Sequence, residues 1–327
     1  RRRSWCIRMP SFFMNTAENK IPTIDFAGFT HGDAARRNAT VAELRGALES
    51  CGFMYLRNHG VAPHLVDQVF IQSRRFFSLA PEVKAKANPK KQGSTRGYEG
   101  VGVQALDEGQ PGDLKEIFQC GQEPAPHRPN AWPEGMAEFR SALLNFLDDA
   151  KASCNELMHA IAVSLGLPEN YFAPYHDRTD STLRLLHYPP LPAAPAAGQL
   201  RAGAHTDFGG MNLLFQDDEG GLEIQAADGR WIAAPALPGT AIVNTGDLIE
   251  RWTNGMFRSS PHRVVNPAGA AARKDRYSFV LFHSPNPDAL ITCLEPCQGP
   301  DRPAKFPPIT AGEHLRARAQ ASRSHIY

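Results

Sequence analysis

GAHTDFGGMNLLFQDDEGG, residues 203–221, sets His205 and Asp207 two positions apart just ahead of an apolar run. Residues i and i+2 of an extended strand share a face, so the pair aims at one point wherever this segment is strand-like. The surroundings are strand-like throughout. From residue 180 onward TLRLLHY, MNLLFQ, LEIQ, RWIAA, TAIVN, HRVVN and RYSFVLFH follow one another, each alternating or wholly apolar. Turn signals such as Asp228-Gly229 separate them. Many short strands with glycine and proline punctuation predict a sandwich or barrel.

The preceding half reads differently. IPTIDFAGF, from Ile21, is a short strand ending in a turn. Val41, Leu44, Leu48 and Cys51 recur at helical spacing and lead through Gly52 into the strand FMYL. APHLVDQVFIQSRRFFSL predicts a second amphipathic helix that stops before Pro81. Residues 88–113 are polar and glycine-rich, hence a long loop of the kind that lines or covers a site. Met136, Phe139, Leu143, Phe146, Leu147, Ala150, Cys154, Leu157, Ile161 and Leu165 mark one face of a long helix closed by Gly166 and Pro168. The expected fold class is mainly β with flanking helices and a helical N-terminal region. Its divisions are an N-terminal extension (1–18), a helical and strand region packing on the core (19–178), the β core (179–285) and a C-terminal helical segment (286–327), all one globular unit.

With 327 residues, 42% hydrophobic, the chain can bury a large core. A formal net charge of +1 and no basic block beyond the first residues favour neither nucleic acid nor an anionic membrane surface as partner. No apolar run reaches the ~20 residues of a membrane span. Cys6, Cys51, Cys120, Cys154, Cys293 and Cys297 match no zinc-knuckle spacing, so they read as free thiols of a reducing, cytoplasmic compartment. The opening RRRSWCIRMPSFFMN is arginine-rich and lacks acids, as a targeting peptide or an extension upstream of Met9 or Met14 would be. A small-molecule substrate and a monomer or weak homo-oligomer are expected.

A third donor decides the chemistry of the opening pair. His262, in RSSPHRVVNP, begins another β-type run. Two imidazoles and one carboxylate on a single face form the facial triad of non-haem Fe(II) sites, which leaves positions for a bidentate co-substrate and dioxygen. Zinc would prefer a closed or hydrolytic site, and no general base for hydrolysis is evident. In RYSFVLFH, Arg276 and Ser278 share a face, with Val280 and Phe282 behind them. An arginine fork beside a hydroxyl suits a carboxylate, here that of a 2-oxo acid chelating the metal at its other end. Tyr188 can donate to the same acid. Period two puts Arg184, Leu186 and Tyr188 on one face and His187 on the other. By the same parity His187 and His283 read as structural histidines, and His59, in NHGV, as the cap of a turn at a strand end.

The ordered set His205-x-Asp207, His262 and Arg276-x-Ser278 resembles the Fe(II)/2-oxoglutarate-dependent oxygenase superfamily, in its isopenicillin N synthase-like branch. IPTIDF, GFMYLRNHGV, RGY, LRLLHYPP, GAHTDFG, LLFQDDEGGLEI, NTGDLIERWTNGMFRSSPHRV and RYSFVLFHSPNPD fall in that family's order, so the likeness spans nearly the whole chain. The resemblance implies a double-stranded β-helix, or jelly roll, with iron at one mouth. It implies Fe(II), 2-oxoglutarate and dioxygen as cofactor and co-substrates. His205, Asp207 and His262 would be the metal ligands, and Arg276 and Ser278, assisted by Tyr188, would hold the distal carboxylate of the oxo acid. The expected reaction is oxidation of a small molecule, by hydroxylation, desaturation or cyclisation, with release of succinate and CO2. An oxidase of the same fold that dispenses with the oxo acid, and a non-catalytic jelly-roll binding module, remain as alternatives. Arg184 is expected to face the substrate pocket, partnered by an acid such as Glu116 or by an anionic substrate. Phe208, Tyr98 and Glu116 are further candidates for the pocket wall or rim.

Overall fold

The apolar runs of the C-terminal half form strands whose two-residue period sorts side chains between two cores. A computed structural model describes residues 21–321 apart from 90–93, 108, 126, 179–180 and 193–194, so the extension read over residues 1–18 lies outside it. In chain order the elements are β1 (Thr23–Asp25), α1 (Ala27–Thr30), α2 (Ala34–Ser50), β2 (Phe53–Arg57), α3 (Pro63–Phe77), α4 (Pro81–Lys84), β3 (Tyr98–Glu99), β4 (Glu116–Gly121) and α5 (Ala137–Ser164). They continue with β5 (Thr182–Tyr188), β6 (Ala202–His205), β7 (Met211–Gln216), β8 (Leu222–Gln225), β9 (Trp231–Ala233) and β10 (Thr240–Thr245). The chain closes with α6 (Asp247–Trp252), β11 (His262–Val264), β12 (Arg276–His283), β13 (Leu290–Ile291), β14 (Ile309–Thr310) and α7 (Ala311–Ala321).

Eight strands make one sheet, ordered β1-β2-β10-β7-β12-β5-β4-β3, and four make a second, ordered β6-β11-β8-β9. The two face each other across a cavity, which is the jelly roll the sequence implies. Leu183, Leu185, Leu213, Phe215, Phe279 and Leu281 point from the large sheet into the helical layer, where Leu143, Phe146 and Leu147 of α5 meet them. Each such buried side chain contributes about 1.5–3 kcal/mol. Their strand neighbours Leu186, Tyr188, Ile242 and Val280 point the other way, toward Leu222, Ile224 and Val264 of the small sheet. Gly52 makes the tight crossing from α2 to β2 at φ +70°, where a Cβ would stand 2.3 Å from the carbonyl oxygen of Arg258.

Three features differ from the sequence reading. The N-terminal region does not only pack on the core: β1 and β2 extend one edge of the large sheet, and β4 and β3 the other. Strand β4 is hidden in the sequence because Glu116 and Gln119 interrupt its apolar pattern and Lys115 precedes it, yet all three are buried. Segment 286–321 is not simply helical, since β13 and β14 pair before α7 begins. Cys51, Cys120, Cys154, Cys293 and Cys297 are free thiols, and no helix among the described residues is long and apolar enough to cross a membrane.

His283, at the end of β12, lies on the helical side as its parity requires. It is fully buried, its Nδ1 is 3.0 Å from Ser181 Oγ, and its ring stacks on His176 with centroids 4.5 Å apart. Burial pulls the His176 pKa down to about 4, and burial together with His176 holds that of His283 well below its ordinary value. Both imidazoles are neutral in the fold, whereas an unfolded histidine titrates near about 6.5. Their stabilising contribution is complete above that pH and is lost as pH falls toward 4. The metal-free protein should therefore melt at progressively lower temperature between those pH values. Replacing His176 by Phe should flatten that slope by on the order of 3 kcal/mol across the window. Parallel melting curves for the two proteins at every pH would contradict this origin.

Candidate metal centre and its cavity

Antiparallel pairing of β6 with β11 sets His205 directly opposite His262. Their ring centroids are 4.3 Å apart. Strand β6 ends at His205, so Asp207 is not on the strand but just beyond it, and a shared strand face does not bring the pair together. The loop does so under outside restraint. The first backbone N–H groups of α6, which have no partner within their own helix, donate to it: Asp247 N to the Asp207 carbonyl at 2.8 Å and Leu248 N to that of Gly209 at 3.0 Å. The Nδ2 amides of Asn212 and Asn244, cross-strand neighbours on β7 and β10, each donate to Asp207 Oδ2 at 2.7 Å. As a result one ligand atom from each of His205, Asp207 and His262 lies within 4.8 Å of the others.

The protonation of this set suits a cation. His205 Nδ1 is 2.8 Å from the Gly203 carbonyl, which can only accept, so Nδ1 carries the proton and Nε2 keeps its lone pair for a ligand. His262 Nδ1 faces the Ser260 carbonyl in the same way at 3.4 Å. Burial, and then the neighbouring His262, hold the His205 pKa well below its ordinary value, so the ring is neutral as a metal ligand must be. Two imidazoles and one carboxylate fit a ferrous ion with open positions.

These three residues line a cavity whose opposite wall carries Arg276 and Ser278. Arg276 is fully buried, with Nε on the Gly220 carbonyl at 2.6 Å, Nη2 on Gln216 Oε1 at 2.7 Å and its guanidinium 4.8 Å from the Tyr188 ring centroid. Both hydrogen-bond acceptors are neutral. Among the described residues no carboxylate pairs with Arg276 within 4.0 Å. A guanidinium out of water needs an anion, and Ser278 Oγ, 3.4 Å from Nη1, marks the side from which one would enter. A carboxylate ligand fits this pole.

Arg184 lies on the cavity wall and donates to Gln119 Oε1, at 3.2 Å from Nε and 3.1 Å from Nη2. Glu116 is not its partner, because register pairs Gln119 with Arg184 and turns Glu116 to the other face of β4. There Glu116 accepts from Lys84 Nζ at 2.8 Å, from the Tyr98 hydroxyl at 2.6 Å and from His187 Nδ1 at 2.7 Å. Glu116 and Tyr98 thus brace the helical side and do not reach the cavity. Phe208 does not line it either: its ring carries the Arg318 guanidinium, 4.6 Å from the centroid. Arg318, on α7, also donates to Thr206 Oγ1 at 3.1 Å and pairs with Asp247 at 3.3 Å, so the C-terminal helix straps the loop between two of the candidate ligands. His187 sits between Glu116 and Asp275, and His59 Nδ1 accepts from Val61 N at 3.2 Å, both structural roles.

Sequence reasoning missed Asn212, Asn244 and Gln119. Their signal was available: a polar residue inside an apolar strand, as in MNLLFQ and TAIVNT, announces a buried group with a partner to satisfy.

Residues 21–135 match the family model for the non-haem dioxygenase in morphine synthesis N-terminal region, and residues 179–285 match that for the 2OG-Fe(II) oxygenase superfamily. A 2-oxoglutarate-Fe(II) type oxidoreductase, ppzD, of Metarhizium rileyi is 34% identical over 91% of this chain and 90% of its own length. The proline hydroxylase buaE of Petromyces alliaceus is 34% identical over 91% of this chain and 98% of its own. A full-length Neurospora crassa protein, solved in complex with alpha-KG and thymine, superimposes with a TM-score of 0.83 at 34% identity, covering 93% and 97% of the two chains.

If the two asparagines orient the Asp207 carboxylate for a metal, Asn244→Leu should weaken Fe(II) binding roughly 10–100-fold while the protein stays folded. Anaerobic titration with Fe(II), alongside circular dichroism, measures both. Unchanged affinity in a folded variant would remove Asn244 from the site.

Proposed function

This chain belongs to the 2OG-Fe(II) oxygenase superfamily, and from that premise we propose that His205, Asp207 and His262 hold its ferrous ion while Arg276, Ser278 and Tyr188 hold the distal carboxylate of its 2-oxoglutarate. The protein is an Fe(II)- and 2-oxoglutarate-dependent oxygenase of small molecules. The observation that carries the assignment of residues is the cavity itself, with a three-donor set on one wall and, on the other, a buried guanidinium that no carboxylate among the described residues pairs.

When bound, iron and 2-oxoglutarate supply an oxidant from dioxygen, the oxo acid leaving as succinate and CO2. The protein's own side chains do the rest. Gln216 and the Gly220 carbonyl fix the Arg276 fork, so its remaining N–H groups and Ser278 Oγ meet a carboxylate in one orientation. The Tyr188 ring beneath the guanidinium, itself buried, keeps water from that charge. Asn212 and Asn244 fix the Asp207 carboxylate beside the two imidazoles, whose Nε2 atoms lie 3.9 Å (His205) and 3.6 Å (His262) from its oxygens. Phe53, Leu106, Leu214, Val280 and Phe282 give the substrate an apolar chamber, which excludes water from the reacting C–H bond. Support for a small substrate comes from relatives: the Neurospora crassa protein was crystallised with thymine and with 5-formyluracil, and buaE is a proline hydroxylase.

Substrate-stimulated succinate formation tests this reading. Asp207→Ala should abolish it. Arg276→Gln should raise the KM for 2-oxoglutarate by about a hundredfold, the cost of one charge-assisted pair. Wild-type oxygen consumption that ignores 2-oxoglutarate, or an Arg276→Gln enzyme with normal KM, would defeat it.

A further inference from the structure

Asp207 sits in the loop 206–210 between β6 and β7, where Gly209 and Gly210 leave little to hold the backbone in shape. A Cβ on Gly209 would stand 2.5 Å from Ser284 Oγ, so no larger residue can anchor the loop there. The N–H groups of α6 supply one restraint. A second comes from α7, more than a hundred residues later in the chain.

That helix is fixed at its start, where Ala311 N donates to the Ala289 carbonyl at 2.9 Å and Gly312 N to that of Pro287 at 2.8 Å. Helical spacing then places His314, Leu315 and Arg318 on one face. This face meets the loop and the helix that holds it. Leu315 Cδ2 comes within 4.0 Å of the place a Gly209 Cβ would take, and His314 Nε2 lies 3.4 Å from Asp247 Oδ2.

Arg318 makes three contacts around Asp207, none of them to its carboxylate. Nη2 donates to the hydroxyl of Thr206, the residue between two ligands, at 3.1 Å. Nε lies 3.3 Å from Asp247 Oδ2, and the backbone N–H of that same Asp247 donates to the Asp207 carbonyl. The guanidinium lies 4.6 Å from the ring centroid of Phe208, the residue after Asp207. A planar fork can serve a hydroxyl, a carboxylate and a ring face together, which an ammonium cannot. The Arg318 side chain is 38% exposed, and an ion pair so placed adds little to stability. What the three contacts supply is direction.

We propose that Arg318 is a positioning residue of the iron site, holding the loop so that the Asp207 carboxylate meets His205 and His262, and that the docking of α7 thereby sets the affinity for Fe(II). This rests on the reading of His205, Asp207 and His262 as the ferrous ligands. Without Arg318 the loop spends less of its time in the binding arrangement, and affinity falls by that fraction.

Full-length protein, as wild type, Arg318→Met, Arg318→Lys, Thr206→Val and the double variant Arg318→Met with Thr206→Val, is titrated anaerobically with Fe(II) and melted with and without the metal. Arg318→Met keeps the apolar stem and the helix, so metal-free melting should stay close to that of wild type. Its Fe(II) affinity should fall about tenfold, the lower end of the loss that outer partners of metal ligands bring. The rise in melting temperature at a fixed Fe(II) concentration should shrink in step. Arg318→Lys should recover part of the affinity. Thr206→Val should weaken Fe(II) binding too, and the double variant should lose less than the product of the two single losses, because both break one contact.

A folded Arg318→Met protein that binds Fe(II) within about twofold of wild type overturns the proposal, whatever its melting temperature. Single losses that multiply in the double variant also overturn it. Should Arg318→Met fail to fold, Thr206→Val decides alone, and unchanged affinity there is fatal. Asp207→Ala separates this from the ligand assignment. Wild-type Fe(II) affinity in that variant would overturn the ligand set and this proposal with it, whereas its loss there beside normal affinity in Arg318→Met overturns this proposal alone.

Discussion

The large sheet is buried on both faces, and that constraint fixes everything else. A strand with one face in water tolerates errors that this one cannot. A slip of one residue in β12 would drive Arg276 and Ser278 into the helical core and bring Phe279 and Leu281 into the cavity. The cost would be unpaired charges in hydrocarbon on one side and lost packing on the other. The same alternation on β5 separates Arg184 and Tyr188 from Leu183 and Leu185, and on β4 it separates Gln119 from Glu116. Register is thus specified by stability, and the geometry of the site follows from it.

Within that frame the metal set depends on neutral donors around a single carboxylate. Asp207 is gripped by two amides and not by a cation, so its charge is left for a metal. A lysine in place of Asn212 or Asn244 would neutralise it and compete directly. The lysine on the cavity wall, Lys115, is matched by its own Asp113. Charge is likewise kept apart on the far wall, where Arg276 rests on a carbonyl and an amide. The protein satisfies directionality with neutral groups and leaves the net charges to its ligands.

What the sequence made legible was whatever obeys short-range periodicity. The strands β5, β7, β10 and β12 and the helix α5 each announce themselves in a window of a few residues. The parity of Arg184, Tyr188, Arg276 and Ser278 follows from the strands alone. The convergence of His205, Asp207 and His262 depended on family order, because no local pattern brings β6 against β11. Long-range partners were out of reach. Glu116 looks like a match for Arg184 in charge, and only the register of β4 reveals that it faces Lys84 and His187. Phe208 sits next to a candidate ligand in sequence, yet a helix more than a hundred residues later claims its ring. Short α6 carried no periodic signal, although its N–H groups hold the metal loop.

Strand β6 is the edge of the small sheet, so the backbone that carries His205 would stand exposed without a cover. The loop before β4 provides it. Asp113 takes the Gly203 N–H, and a Cβ on Gly203 would lie 2.8 Å from the backbone nitrogen of Asp107. Leu106, beside that contact, is part of the cavity wall. One segment therefore caps the edge of the metal strand and shapes the substrate chamber. Its sequence can vary at Leu106 to suit a substrate, but Gly203 and Asp113 hold it to a fixed approach. A bulkier residue at 203 would push the loop off the edge strand, and the shift would reach the substrate wall and His205 together.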